Sequence, residues 1–146
     1  MKKLFWSLPV LWLMSGFCFA QGVTPSAGGN VLKACPKSPN CVSSQADDPE
    51  HGIAVFVYSG SRSEAYARMK KVLTEMKRTT IVEEKEDYLR AEARSLLFRF
   101  VDDVEFYFPA AEKVIHVRSA SRVGYSDLGV NRKRVEDIRK RFAESQ

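Results

Sequence analysis

The chain has 146 residues, with 23 Lys and Arg against 18 Asp and Glu, which gives a formal charge of +5. Its 45% hydrophobic and 28% charged residues are ordinary for a globular protein. They exclude collagen, a disordered tail and a polytopic membrane protein. Three cysteines are too few for a small disulfide scaffold. One domain is expected, because a single core stops growing only beyond about 250 residues.

Residues 1–20 have the three parts of a secretory signal. A basic start leads into an apolar stretch, and small residues precede Ala20, the expected cleavage position. Pro9 interrupts the apolar stretch, which is shorter than the roughly 20 residues of a membrane span, so an uncleaved anchor is the weaker alternative. Acylation of Cys18 in a lipoprotein is a third alternative, which the bulky Phe17 disfavours. We therefore expect an exported protein with no transmembrane span after cleavage.

The exported chain is expected to comprise a flexible arm, residues 21–31, and one domain, residues 32–146. Its charge is uneven. Residues 112–146 carry nine basic and five acidic side chains, net +4, whereas residues 21–111 carry twelve and thirteen, net −1. The C-terminal quarter is therefore the part most suited to an anion. Its mixed signs argue against nucleic acid as a partner.

Cys35 and Cys41 remain after the leader is removed. An oxidising compartment favours a disulfide between them. A zinc site with His51 as a third ligand is the alternative, but zinc usually takes four ligands at tighter spacing. We therefore predict a disulfide and expect no metal and no cofactor.

The first half of the domain contains a strand and a helix. A run of β-branched and aromatic residues predicts a strand over residues 53–58. Ser61 and Glu64 have the spacing of a capping box. Apolar residues behind them recur at helical spacing, which predicts a helix to about Lys77.

The second half reads mainly as strands. Alternating or β-branched segments predict four of them, at residues 79–83, 88–95, 102–108 and 114–121. Residues 96–101 form an apolar connector, and Asp102 and Asp103 break the alternation, which suggests a bulge or a corner. A second amphipathic helix is predicted near the end, with Asn131 as its N-cap.

The order β-α-β-β-β-β-α with short connections favours an α+β domain, in which an antiparallel sheet carries both amphipathic helices on one face. Five aromatic residues are expected to point inward: Phe56, Phe98, Phe100, Phe106 and Phe108. We interpret them as core, with an apolar ligand cavity as the alternative.

Three segments resemble the signatures of one family. They are residues 35–44 (CPKSPNCVSS), 99–106 (RFVDDVEF) and 116–131 (HVRSASRVGYSDLGVN). The family is domain of unknown function 1499, and the resemblance extends from about Leu32 to Phe142. It implies a bacterial protein of the periplasm or cell envelope, with relatives in the plant thylakoid lumen. It implies no activity and no catalytic residue.

The segment from Arg118 to Arg132 is the most informative polar stretch. It combines guanidinium groups, hydroxyls and two glycines, and it leads into a predicted helix start. Amides at a helix N-terminus and arginine donors are suited to bind an anion. The candidate ligand-binding residues are Arg118, Ser119, Ser121, Arg122, Tyr125, Ser126 and Arg132. The partner would be a small anionic or amphipathic ligand or an envelope protein.

A structural role is the alternative for the same segment. Its arginines would then pair with carboxylates such as Asp102 and Asp103. We expect at least one of these two aspartates to be buried and paired with Arg99, Arg118 or Arg122, because an acidic pair interrupts an otherwise apolar strand.

A small hydrolase is the second functional hypothesis. It would use His116 as base, one of Ser119, Ser121 and Ser126 as nucleophile, and Asp102 or Asp103 to orient the base. The chain has no Gly-x-Ser-x-Gly motif around these serines, and alternation puts His116 and Ser119 on opposite faces of one strand. We therefore expect an exported, non-catalytic binding module, with a purely structural envelope protein as the third hypothesis.

Overall fold

The computed structural model describes residues 31–145. The predicted leader, residues 1–20, and the predicted arm up to residue 30 lie outside this range. Within the described range, no helix combines the length and the apolar character needed to cross a membrane.

The domain is α+β, as predicted. Its strands are β1 (Cys41–Ser43), β2 (Phe56–Val57), β3 (Thr79–Lys85), β4 (Tyr88–Arg94), β5 (Val101–Tyr107) and β6 (Val114–Ser121). Its helices are α1 (Arg62–Glu75) and α2 (Val130–Glu144). The predicted order β-α-β-β-β-β-α is confirmed, and the three-residue β1, which was not predicted, precedes it.

The strands form one antiparallel sheet in the order β1-β6-β5-β4-β3. β2 also pairs with β6, next to Val114 and Ile115, whereas β1 pairs with the other end of β6, from Arg118 to Ala120. The two short strands therefore share one edge of β6. β6 contains the first four residues of the Arg118–Arg132 segment. It lies inside the sheet, because β5 pairs along its other edge.

Both helices cover the same face of the sheet. Alternation in β5 directs Val104 and Phe106 into the core, where they meet apolar residues of α1 and α2. The capping box of α1 is present: the Glu64 amide donates to the Ser61 hydroxyl at 3.2 Å, and the Glu64 carboxylate accepts the Ser61 amide at 2.8 Å. The other face carries no helix in the described range and is called the open face below.

Two of the five aromatic residues expected inside are on the surface. Phe98 and Phe100 are 73% and 53% exposed, because the chain leaves the sheet after Arg94 and turns in a short loop. The Ser95 amide donates to the Phe100 carbonyl at 2.9 Å, which closes this loop outside the core. Phe56, Phe106 and Phe108 are fully buried.

Two local expectations about the backbone were wrong. Asp102 and Asp103 pair in regular register with β6, and the irregularity lies instead between Ile81 and Glu83 in β3. Gly129, with φ of 78°, is the N-cap of α2, whereas Asn131 is buried inside the first turn. Glycine adopts this left-handed conformation without the steric cost that a side chain brings.

The predicted strand over residues 53–58 is shorter than expected. Only Phe56 and Val57 pair in the sheet. The carbonyls of Ala54 and Val55 instead accept hydrogen bonds of 2.7 Å from the Arg139 guanidinium. A side chain of α2 thus satisfies backbone groups that a longer strand would have paired.

Candidate functional site

The open face of the sheet carries a chain of ion pairs. Asp103 accepts hydrogen bonds from Arg90 at 3.1 Å and from Arg122 at 2.8 Å. Arg122 also reaches Glu92 at 2.6 Å. The alternation of β4, β5 and β6 aims these side chains away from the helices, so they meet across neighbouring strands.

Arg118 lies beside this chain and is much less exposed. The residue is 8% exposed, and its Nη1 donates to Glu105 Oε2 at 2.6 Å. Glu105 also accepts a hydrogen bond of 2.8 Å from the Tyr88 hydroxyl. The Nε–H of Arg118 is enclosed and has no hydrogen-bond partner among residues 31–145. Buried donors are usually satisfied, so this one calls for a physical reason.

A cleft of about 490 Å³ lies over these residues. Residues 33–36 form one wall, and the disulfide between Cys35 and Cys41 fixes that wall to β1. The rest of the lining is Arg90, Asp103, Glu105, Arg118, Ala120, Ser121 and Arg122. With Lys33, the lining holds four basic and two acidic side chains, so its net charge is 4 − 2 = +2.

The ion pair of Asp103 with Arg122 remains charged over a wide pH range. Hydrogen bonds from Arg122 and Arg90 hold the pKa of Asp103 below its usual value of 3.8. Hydrogen bonds to Asp103 and Glu92 raise the pKa of Arg122. Burial and the contact with Glu105 raise the pKa of Tyr88, which therefore stays a hydroxyl donor. The floor of the cleft is thus a fixed pattern of charges.

Asp103 pairs with Arg122, one of the three arginines predicted as partners, but it is only partly buried. The helix face holds a second arginine–aspartate pair, whose aspartate is buried and whose arginine was not among those three. Asp102 is 6% exposed and pairs with Arg134 of α2 at 2.5 Å, not with Arg99, Arg118 or Arg122. The reason is alternation: Asp102 points toward the helices, whereas Arg118 and Arg122 lie on the open face with Asp103.

Asn131 and Ser119 complete this buried cluster. Arg134 Nη1 donates to Asn131 Oδ1 at 2.6 Å and to the Ser119 hydroxyl at 3.2 Å. Asn131 Nδ2 donates to the Asn40 carbonyl at 3.1 Å and to the Ser121 hydroxyl at 3.0 Å. These contacts join α2 to β6 and to the residue that precedes β1. The side chains of Ser119 and Ser121 are therefore engaged inside the fold.

The remaining candidate ligand residues lie apart from the cleft lining. Arg132 donates to the carbonyls of Gly52 and Glu50 at 2.9 and 2.8 Å. Tyr125 is 76% exposed, and the exposed Ser126 accepts a hydrogen bond from the backbone. Of the seven candidates, Arg118, Ser121 and Arg122 line one cleft.

His116 lies on the open face, toward the opposite end of β6 from Arg122. Its Nδ1 lies 3.2 Å from the hydroxyl of Ser44, which also accepts the Val117 amide at 2.9 Å. The ring stacks on Tyr107, and burial lowers the pKa of His116. Ser44 thus stands where the hydrolase hypothesis requires Ser119, Ser121 or Ser126. Because 72 positions separate it from His116, no local spacing could have indicated this contact.

The family model described as protein of unknown function (DUF1499) matches residues 31–142. The chain belongs to this family. No curated protein matches it. The matched range of this DUF1499 protein includes the wall and the floor of the cleft, the buried cluster and His116. The resemblance drawn from the three sequence segments is thereby confirmed.

Cys35 and Cys41 of this DUF1499 protein form the predicted disulfide, with Cα atoms 5.6 Å apart. His51, the third ligand of the zinc alternative, is engaged elsewhere: Nδ1 lies 2.8 Å from Asp48 Oδ1 and Nε2 lies 3.2 Å from the Ser38 carbonyl. Among residues 31–145, no group of three or more His, Cys, Asp and Glu side chains is arranged to hold a metal.

Proposed function

We propose that this protein is an exported, non-catalytic binding module whose cleft takes a small anion, a molecule that presents a carboxylate or a phosphate. The observation that carries the proposal is Arg118, whose enclosed Nε–H has no partner among residues 31–145. A buried donor without a partner costs about 1–3 kcal/mol. An anion oxygen at Nε would remove that cost and form a charge-assisted hydrogen bond.

The charge and stiffness of the lining support an anionic ligand. The net charge of +2 comes from side chains that are already held by neighbours, with Arg122 fixed by Asp103 and Arg118 fixed by Glu105. Groups that are held before binding lose little entropy when a ligand arrives. The volume of about 490 Å³ is that of a small-molecule site.

The same lining favours a polar ligand over an amphipathic one. Six of the side chains that line the cleft are charged. An acyl chain would gain little against such walls, because it would displace water from the charged groups without forming hydrogen bonds to them. We therefore propose binding of a compact anion as the activity of this cleft.

Export to an oxidising compartment is part of the proposal. The disulfide between Cys35 and Cys41 supports it, because such bonds are rare in reducing compartments. The secretory pattern of residues 1–20 supports it from the sequence. Protein recovered from the periplasm should have an intact mass that begins at Gln21 and no thiol open to alkylation before reduction.

The test observes the arginine Nε–H groups by NMR in protein labelled with ¹⁵N-arginine. Inorganic phosphate, glycerol 3-phosphate and succinate are titrated at constant ionic strength, so that general screening does not change. We expect the Arg118 Nε–H, assigned by its loss in Arg118→Lys, to shift with at least one of these probes. Lys keeps the charge beside Glu105 but lacks this donor.

Arg139→Lys is the matched control. Arg139 is also partly buried, but its guanidinium is satisfied by the carbonyls of Ala54 and Val55 and does not line the cleft. This variant should bind the probes like the unaltered protein. If the Arg118 Nε–H responds to none of the three anions, the proposal is wrong.

A further inference from the structure

Two loops at one end of the sheet expose large apolar side chains. The first joins β4 to β5 and exposes Leu96, Leu97, Phe98 and Phe100 at 70%, 79%, 73% and 53%. The second joins β6 to α2 and exposes Val123, Tyr125 and Leu128 at 57%, 76% and 94%. Single exposed apolar residues are normal, but a contiguous group of them marks an interaction surface.

The strand register brings the two loops together. Arg94 pairs with Val101 and Asp102 pairs with Ser121, so both loops leave the sheet at the same end. The Arg122 amide donates to the Val101 carbonyl at 3.2 Å, which makes the loops neighbours. We call residues 95–100 and 123–129 the apolar end.

Hydrogen bonds within the fold hold these loops in shape. The Phe100 amide donates to the Ser95 hydroxyl at 2.9 Å, and Asn40 Nδ2 donates to the Gly124 carbonyl at 2.6 Å. Arg99 and Leu128 have positive φ angles of 52° and 53°, a conformation that costs energy for residues with side chains. The protein therefore maintains a strained backbone in loops that present apolar side chains to solvent.

Basic side chains surround the apolar end. Lys77 and Arg78 precede β3, and the Arg94 amide donates to the Arg78 carbonyl at 2.9 Å, so this turn lies at the same end. Residues 94–101 contain two arginines and no acidic residue. The nearby carboxylates are engaged in the fold: Glu92 accepts from Arg94 and Arg122, and Asp127 accepts from Gly129 and Asn131.

We propose that the apolar end docks on the surface of an anionic lipid bilayer. Leucine and aromatic side chains beside arginine and lysine are the composition that lies at the boundary of headgroups and acyl chains. The basic residues would meet lipid phosphates while Leu97 and Phe98 enter the apolar layer. Phe98 and Phe100 stack on each other, with ring centroids 5.5 Å apart, and Leu96 and Leu97 project beside them, so the first loop presents an apolar tip that fits a fluid layer. This surface is distinct from Arg118 and goes beyond the proposed anion site.

The experiment uses the protein expressed from the full chain and purified after cellular processing. Hydrogen–deuterium exchange of its peptides is compared with vesicles of phosphatidylglycerol mixed with phosphatidylcholine, with phosphatidylcholine vesicles, and without lipid. We expect the anionic vesicles to slow exchange in residues 95–100 and 123–129. This readout locates the contact, so it stays valid whatever N-terminus the protein carries.

Leu97→Asp and Val57→Asp form a matched pair of variants. Leu97 is 79% exposed and Val57 is 70% exposed. Val57 lies in β2, which pairs with β6 at the end of the sheet opposite to the apolar end. Leu97→Asp should reduce binding to the anionic vesicles by about tenfold or more, and Val57→Asp should leave it unchanged. Both substitutions are at solvent-exposed positions, so both variants should fold.

Several outcomes would overturn the proposal. Exchange of both loops could be unaffected by the anionic vesicles, or Leu97→Asp could bind them like the unaltered protein. Equal binding to phosphatidylcholine vesicles would remove the role of the basic residues. Protection of the loops by a lipid-free extract of envelope proteins, without protection by vesicles, would assign this end to a protein partner instead.

Discussion

The two faces of the sheet use arginine in different ways. On the helix face, Arg134 and Asp102 form a pair whose side chains are 11% and 8% exposed, covered by α2. On the open face, Arg122 is 41% exposed and is shared between Asp103 and Glu92. A covered pair holds the fold together and cannot be reached by a ligand. An uncovered pair contributes less to the stability of the fold, and a ligand can reach it.

Arg118 combines both properties. It is buried like Arg134, but it lines the cleft like Arg122 and has a donor without a partner in the described residues. Arg134 differs because it has Asp102, Asn131 and Ser119 around it. The comparison teaches that burial alone does not distinguish Arg134 from Arg118, the arginine proposed to bind an anion. What separates them is whether every enclosed donor is satisfied.

The largest effect is expected from Asp102→Ala. The substitution leaves the Arg134 guanidinium buried without its carboxylate, which costs about 3–5 kcal/mol of the free energy of unfolding. Urea unfolding followed by circular dichroism measures this loss, from the midpoint at constant slope.

The double variant Asp102→Leu with Arg134→Met is the control for that prediction. It removes both charges, so it should recover much of the stability lost in the single variant. A loss below about 1 kcal/mol for Asp102→Ala would mean that the pair is hydrated like a surface pair, and the contrast between the two faces would fail.

The next effect concerns the wall of the cleft. Replacing Cys35 and Cys41 together by Ser removes the disulfide that fixes residues 33–36 to β1. The closed loop is short, so the stability lost should be about 2 kcal/mol at most and the protein should still fold. The affinity for phosphate should fall even though the protein stays folded, since residues 33–36 would no longer be held in position as the wall of the cleft.

Calorimetric titration with phosphate and urea unfolding check the two parts of this prediction on the same sample. The reduced, alkylated protein serves as a second form without the bond. Unchanged phosphate affinity in both forms would show that the cleft does not depend on its disulfide-held wall.

Much of the fold could be predicted from the sequence, because the relevant signals are local. The capping box at Ser61 and Glu64 and the alternation of β5 and β6 are short-range patterns, and each is present in the structure. The strand β1 was missed because three residues are too few to show a period. Phe98 and Phe100 were expected inside the core, since hydrophobicity alone does not report that a loop leaves the sheet.

The partners of the polar side chains were harder to predict. Alternation already puts Asp102 and Asp103 on opposite faces, so one arginine on β6 could not serve both. The partner of Asp102, Arg134, is 32 positions away and depends on how α2 rotates over the sheet. One signal was available: Asn131 is in helical phase with the buried Val135 and Ile138, which marks it as buried rather than as a cap.

A smaller effect is expected from Asp103→Ala, the neighbour of Asp102 on the other face. Arg122 keeps Glu92 and Arg90 keeps Glu83, so the loss of stability should be about 1 kcal/mol or less. The same change removes one negative charge from the cleft, so affinity for phosphate should rise while that of Asp102→Ala should not. Titration calorimetry of the two variants compares them directly. A loss of stability as large as that of Asp102→Ala would contradict the distinction between the faces.

The smallest effect concerns the two histidines. Both ring nitrogens of His51 have hydrogen-bond partners, whereas His116 has one such partner, at Nδ1, among the described residues. Burial opposes protonation of His51, but hydrogen bonds to the Asp48 carboxylate and the Ser38 carbonyl raise its pKa above the usual 6.5. Burial lowers the pKa of His116, whose bonded neighbour is a hydroxyl. On acidification, NMR should therefore show His51 becoming protonated before His116.

The two shifts change stability in opposite directions as pH falls. The contribution of His51 is complete below its unfolded pKa near 6.5 and is lost as pH rises through its higher folded value. The contribution of His116 is present above 6.5 and is lost as pH falls toward its lower folded value. Acidification from pH 7.5 to 5.5 should therefore destabilise His51→Gln more than the unaltered protein, and His116→Gln less. Thermal unfolding at the two pH values measures this difference, and equal slopes for the two variants would show that neither ring is held as the structure indicates.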